Sequence, residues 1–161
     1  MQAGTGATGA GPARLHEQEI TVTGALDLDR YAGHLIRRAE QVHTSLWSTF
    51  VSETVTSQQF AVLNALRRSP GIDQSTVARL TSLDRSTAHH IVRRLTAQHY
   101  VSRARDLADR RRTLLALTAE GRELHTSLAP AAEKINDELL AVFPDGLRGE
   151  ALRVLAQISQ R

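Results

Sequence analysis

Over most of this chain the apolar positions recur with a helical period rather than the alternation of a strand. From Asp29 to Ser52, Tyr31, Leu35, Ala39, Val42, Leu46 and Phe50 come every three or four residues, which places them on one face of a helix. Thr56-Ser57-Gln58-Gln59 has the form of a capping box, in which the Thr56 oxygen accepts from the backbone three residues on and Gln59 reaches back. The helix it opens, Gln58 to Arg68, stops at Ser69-Pro70-Gly71. A short helix is predicted from about Asp73 to Leu80, then a turn at Thr81-Ser82-Leu83. Asp84 or Ser82 can cap the helix after it, which runs to about His99.

The pattern then changes. Tyr100–Arg105 and Thr113–Leu117 can pair as strands, with the charged stretch Asp106-Leu107-Ala108-Asp109-Arg110-Arg111-Arg112 as the hairpin tip, although Leu and Ala favour strands only weakly. Thr118 caps a long helical region in which Gly121, Leu124, Leu128, Ala131, Ile135, Leu139 and Val142 recur at near-heptad spacing. Pro130 predicts a kink or a break near Ala129. Pro144-Asp145-Gly146 closes that element, and Leu147, Ala151, Leu155 and Ile158 mark a last helix.

A length of 161 residues suits one domain, with residues 1–26, rich in Gly, Ala and Thr, as a disordered tail. The longest apolar run, Leu139 to Phe143, is far too short to cross a bilayer, and the N-terminus lacks the apolar core of a secretory signal. No cysteine is present, which excludes disulfides, thiolate metal sites and thiol redox sensing. A cytoplasmic protein with no membrane partner is expected.

Charge adds the first functional signal. The net charge is only +3, but Arg67 to Arg112 holds 11 arginines against 4 acids, a local net of +7 that leaves −4 for the rest. A basic middle between acidic ends suggests a surface for a polyanion. Two short helices across a tight turn, followed by a charged hairpin, make a winged helix-turn-helix, whose second helix enters the major groove of DNA. On a helical wheel Ala88, Ile91, Val92 and Leu95 share one side. Ser86, His90 and Arg93 lie opposite, flanked by His89 and Arg94. Arg93 suits guanine, while Ser86 and Thr87 suit phosphates near the helix start. The bland alternative is a solvated helix face. Arg110, Arg111 and Arg112 at the tip weigh against it, because three adjacent guanidinium groups repel unless a polyanion is near; Asp106 and Asp109 offset part of that charge.

From about Tyr31 to Gln157 the chain resembles the MarR family of bacterial transcriptional regulators. Leu83-Asp84-Arg85-Ser86-Thr87 at the start of the recognition helix carries the resemblance, together with Asp106–Arg112 and Leu115-Ala116-Leu117-Thr118 around the wing. It implies a mainly α fold with a small β-hairpin wing, and N- and C-terminal helices that form a dimerisation region. The expected division is a DNA-binding lobe at 56–118 and dimerisation helices at 27–53 and 119–161. Apolar stripes on the outer helices independently suggest that a second copy covers them. The resemblance further implies a homodimeric repressor on a palindromic operator in double-stranded DNA, released by a small molecule, with Arg85 among the DNA contacts.

For the effector, His34, Arg37, Arg38, His43 and Trp47 on the first helix are the candidates. An Arg can fork to a carboxylate and His43 can meet a phenol. Likeness to the same helix in aromatic-catabolism repressors points to a phenolic or aryl carboxylate; solvated arginines and a core Trp47 are the competing reading. No cofactor or metal is expected. The chain has no His-Glu-x-x-His, no phosphate-binding glycine loop, no Gly-x-Ser-x-Gly and no His pair at i, i+4 spacing, so no enzyme is expected either. A ligand-independent architectural DNA-binding protein is the alternative function, and a protein-binding helical adaptor a more distant one.

Overall fold

A computed structural model describes residues 26–159. The segment expected to form a tail lies, up to residue 25, outside the described residues. Six helices and three strands follow in the order α1 (Ala32–Phe50), α2 (Ser57–Arg68), β1 (Ile72–Asp73), α3 (Gln74–Leu80), α4 (Arg85–Ala97), β2 (Val101–Arg105), β3 (Thr113–Leu117), α5 (Ala119–Leu140) and α6 (Arg148–Ser159). Short 3-10 turns precede α1 and α6, at Leu28–Arg30 and Asp145–Leu147. The described residues thus form the mainly α winged helix-turn-helix that the pattern predicts.

Most helix starts are set by a side chain in the sequence. The capping box at Thr56 is complete: Gln59 N–H donates to Thr56 Oγ1 at 3.2 Å and Thr56 N–H to Gln59 Oε1 at 3.0 Å. Asp73 caps α3, Asp84 rather than Ser82 caps α4, and Thr118 caps α5. Ser82 instead makes the turn between α3 and α4 with a φ of 53°, in the left-handed region. Gly71, at φ 79°, reverses the chain after α2 without the Cβ penalty other residues carry.

The expected hairpin pair is present with one strand added, and of the kink or break expected at Pro130 the break is ruled out. The sheet has three strands in the order β1-β3-β2, all antiparallel, because Ile72 and Asp73 pair with Leu115 and Leu114. A two-residue strand has no periodicity to detect. At Pro130 α5 is not broken: the helix continues to Leu140. Only the N–H that residue 130 would have donated to the Thr126 carbonyl is lost, and helix packing carries the element past one missing bond.

The core lies beneath the helix-turn-helix. Val62, Leu63, Leu66, Val77, Val92, Leu95, Val101 and Leu115 are all but fully buried, in one cluster that also takes in Val55, Ile91 and Leu117. Leu124 and Leu128 of α5 pack against it. The outer helices are different. Trp47 is the buried residue of α1, and α6 buries none.

Where α5 begins, the chain passes very close to the α4–β2 turn. A Cβ on Gly121 would lie 2.9 Å from the Tyr100 carbonyl carbon and closer still to its oxygen. Both partners are backbone, so neither can move aside cheaply. Gly121→Ala is expected to cost about 1–3 kcal/mol through overpacking, read as a lowered thermal midpoint; an unchanged midpoint would show that α5 can shift freely at this junction.

Candidate nucleic-acid interface

The polar face of α4 follows from what its other face buries. Ala88, Ile91, Val92 and Leu95 are buried, which leaves Arg85, Ser86, His89, His90, Arg93 and Arg94 exposed and Thr87 half-buried. Asp84 holds the helix start, where its Oδ1 accepts from Thr87 N–H at 2.9 Å. Hydrogen bonds from Thr87 keep the Asp84 carboxyl below its ordinary pKa. A capping acid therefore stays ionised at the front of a basic helix, where it favours the helix dipole.

The wing leans on the same unit. Its strands run in register from Val101 opposite Leu117 to Arg105 opposite Thr113. Asp109 holds the tip, with its Oδ1 accepting from Arg111 N–H at 3.0 Å and its carbonyl from Arg112 N–H at 2.9 Å. The three arginines of the tip do not act alike. Arg110 and Arg111 are exposed and, among the described residues, have no ion-pair partner. Arg112 turns toward the body and meets Asp73 Oδ2 at 2.7 Å.

Beside Asp73, Gln74 donates from Nε2 toward His89 Nδ1 at 3.3 Å. Wing, start of α3 and outer face of α4 are thereby continuous through four side chains: Arg112, Asp73, Gln74 and His89. That continuity places the basic tip and the polar face of α4 on one side of the molecule. A groove of about 360 Å³ between the wing and the start of α3 is lined by Gln74, Ser75, Arg103, Arg111 and Thr113 together with the ion pair.

The five effector candidates do not converge in one chain. His34 and Arg37 are neighbours, the guanidinium donating toward His34 Nδ1 at 3.5 Å. Arg37 also lines an open groove of about 470 Å³ with Glu40, Gln41, Thr44, Ser45 and Ser48, while Arg38 is exposed. His43 and Trp47 belong to another edge of α1, with ring centroids 6.2 Å apart. Trp47 is 6% exposed and donates its indole N–H to the Val55 carbonyl at 2.6 Å, which makes it part of the packing between α1 and the segment that leads into α2.

Sequence reasoning missed what Trp47 packs against. Its ring lies 5.2 Å from Phe60 of α2, and Phe60 stacks on His125 of α5, again at 5.2 Å and nearly parallel. The 3.1 Å between His125 Nε2 and Asn64 Oδ1 suits an N–H donated to the amide oxygen. His125 sits four residues beyond Gly121 on the apolar stripe of α5, but nothing local signals a partner 65 positions away. Among the described residues, no cluster of three or more His, Asp or Glu is poised to hold a metal, and no helix is long and apolar enough to cross a membrane.

Helix-turn-helix, clasped hairpin and continuous basic face define a winged helix-turn-helix protein. The MarR family model matches residues 54–112. The HTH-type transcriptional repressor NicR of Pseudomonas putida is 32% identical over 133 residues, 82% of this chain and 84% of that protein. The PcaV transcriptional regulator of Streptomyces coelicolor, in the crystal structure with its natural ligand, is 40% identical, with a TM-score of 0.81 over 84% of this chain and 96% of that one. BpsR of Bordetella bronchiseptica, whose structure addresses regulation of DNA binding by 6-hydroxynicotinic acid, is 30% identical, with a TM-score of 0.80 over 86% and 99% of the two chains. The chain belongs to the MarR family of transcriptional regulators.

His125 carries a pH dependence. Burial, and then the nearby charge of Arg67, hold its pKa below the ordinary 6.5. A depressed histidine pKa means that the unfolded chain takes up the proton more readily. Its contribution to stability is therefore full above about pH 6.5 and is lost as the pH falls below it. Denaturant unfolding of His125→Gln is expected to show a flatter dependence between pH 7 and 5 than the parent chain. An equal slope in both would show that packing on Phe60 does not depress this histidine.

Proposed function

We propose that this protein is a homodimeric repressor that occupies a palindromic operator in double-stranded DNA and leaves it when a small aromatic or heteroaromatic carboxylate binds. The observation that carries the DNA-binding part is the pair of contacts, Arg112 to Asp73 and Gln74 to His89, that tie the basic wing tip to the start of α3 and α3 to the outer face of α4, where Arg93 is exposed. It supports an arrangement in which α4 enters the major groove and the wing reaches the neighbouring minor groove. Arg93 supplies a guanidinium that can fork to a guanine edge. Arg85, Ser86, Thr87, His90 and Arg94 surround it with hydroxyls, ring nitrogens and charge for the adjacent phosphates.

Dimerisation is supported by apolar surface that the chain leaves uncovered. Leu35, Ile36, Val42 and Phe50 of α1 and Leu152, Val154, Leu155 and Ile158 of α6 are all between 44% and 57% exposed. A second copy packing these helices together removes that surface from water and sets two recognition helices about one turn of DNA, roughly 10 base pairs, apart. Residues 27–53 and 119–161 then act as the dimerisation region around the DNA-binding lobe at 56–118.

The effector class rests on two supports. One is 6-hydroxynicotinic acid, which the BpsR work names. The other is chemistry on α1, where Arg37 or Arg38 can pair with a carboxylate and His34 or His43 can meet a ring hydroxyl. Helical spacing sets Arg37 and His43 about 120° apart, so one small molecule meets both more readily between two copies than on one.

Fluorescence anisotropy on duplexes tiled upstream of the protein's own gene, at about 150 mM salt with nonspecific competitor, tests the reading. Tight binding to one palindromic tile is expected, reversed by an acid from a panel of hydroxylated benzoic and nicotinic acids, with a sedimenting mass of two chains. Weak binding that is equal on every tile and abolished by salt would instead favour a ligand-independent architectural protein. Two variants refine the test. Arg93→Ala is expected to lose about 1–3 kcal/mol of operator affinity and to relax preference at one base position, and an unchanged preference removes Arg93 from base reading. Arg37→Ala is expected to bind the operator normally but to need about tenfold more acid, or more, for release.

A further inference from the structure

The geometry points to the Asp73–Arg112 ion pair as a clasp that fixes the wing against the start of α3, and so to Arg112 as a positioning residue of the DNA interface rather than a phosphate contact. This inference rests on the DNA-binding reading above for its functional part only.

Asp73 holds two elements with its two oxygens. Oδ1 accepts from Thr76 N–H at 2.8 Å and caps α3, while Oδ2 accepts from Arg112 at 2.7 Å. Hydrogen bonds from Thr76 and Arg112 bring the carboxyl from its ordinary 3.8 down to about 2, so it is ionised throughout the neutral range.

The other end of the clasp is equally well anchored. Arg112 donates its backbone N–H to the Asp109 carbonyl at 2.9 Å, and its own carbonyl accepts from Asp106 N–H at 3.1 Å. A pull on the guanidinium therefore acts on the whole tip. The hairpin needs such a tie because it has little core of its own. On β2 only Val101 is buried and the next four residues are exposed, and β1 offers β3 a pairing just two residues long. Beyond Leu114, where the pairing with β1 ends, the side-chain tie between wing and body among the described residues is the ion pair, which spans 39 positions of sequence. With Arg112 neutralising Asp73, the groove beside it keeps Arg103 and Arg111 as unbalanced charge for a DNA backbone.

Asp73→Asn separates this reading from simple electrostatics, because the two predict opposite signs. Asparagine is as good a helix cap as aspartate, so the bond to Thr76 survives while the charge pair is lost. Removing a negative charge from a DNA-facing surface should by itself tighten binding. A clasp predicts weaker operator binding instead, by roughly fivefold, the upper range for a part-exposed pair. Arg112→Gln should weaken binding by a similar factor and leave the slope of log K against log salt unchanged, whereas loss of a phosphate contact lowers that slope by about one. The double variant should bind no worse than either single one, as expected for residues acting through one contact.

Hydrogen exchange of the amides from 106 to 112, measured without DNA, reads the clasp directly. Faster exchange in both single variants, with an unchanged thermal midpoint, is expected. Exchange equal to the parent's, tighter binding by Asp73→Asn, or a reduced salt slope in Arg112→Gln each overturns the inference. If the parent binds no DNA at all while the variants loosen the wing, the DNA-binding reading has failed and the clasp has not.

Discussion

The rotation of α4 about its own axis is the constraint on which the rest of the interface depends. Ala88 and Val92 are wholly buried, Leu95 is 1% exposed and Ile91 8%. Burial of a Val, Leu or Ile side chain is worth about 1.5–3 kcal/mol, so this face fixes the helix strongly. Turning α4 by a single residue, or about 100°, would lift part of that set into water and drive a histidine or arginine into the cluster around Leu63 and Leu66. An unpaired charge there costs several kcal/mol. The outward set from Arg85 to Arg94 is thus the complement of what must be inside, which is why a pattern of apolar positions carries information about polar chemistry.

The same burial made α4 legible from sequence. Its four inward residues show as a helical period, the complete capping box at Thr56 and the caps at Asp84 and Thr118 join residues within a few positions of each other, and the structure shows each of them. What sequence could not supply depends on distant partners. Strand β1 is too short for periodicity, and only Leu114 and Leu115, more than forty positions away, make it a strand. Pro130 reads locally as an interruption, yet contacts of α5 with α1 and α2 carry the helix through it. Arg112 looks identical to Arg110 and Arg111 in a basic run; only the folded chain shows that it faces Asp73 while they face out.

The acids in the basic segment acquire a common role from this. Asp73, Asp84 and Asp109 each accept a backbone N–H at the start of a helix or in the wing tip. They leave the segment's positive excess intact while ordering the backbone that displays it. Acids bound to backbone donors present less free negative potential outward than acids on mobile side chains, so capping and charge display cooperate within the same few residues.

A different set of contacts joins this basic unit to the helices proposed as the dimer region. Trp47, Phe60 and His125 bring α1, α2 and α5 together through rings 5.2 Å apart, and the Trp47 indole anchors the chain between α1 and α2 by its bond to Val55. His43 lies one turn before Trp47, at the outer end of this series. A molecule bound beside His43 would press on aromatic packing rather than on loose loops. Close-packed rings answer by shifting as a unit instead of yielding locally, so a displacement at α1 reaches α2, the helix whose Val62, Leu63 and Leu66 support α4. In the proposed dimer, the distance between the two copies' recognition helices would then depend on how α1 seats on Phe60, and a small molecule at that seat would need no contact with the DNA surface to change it.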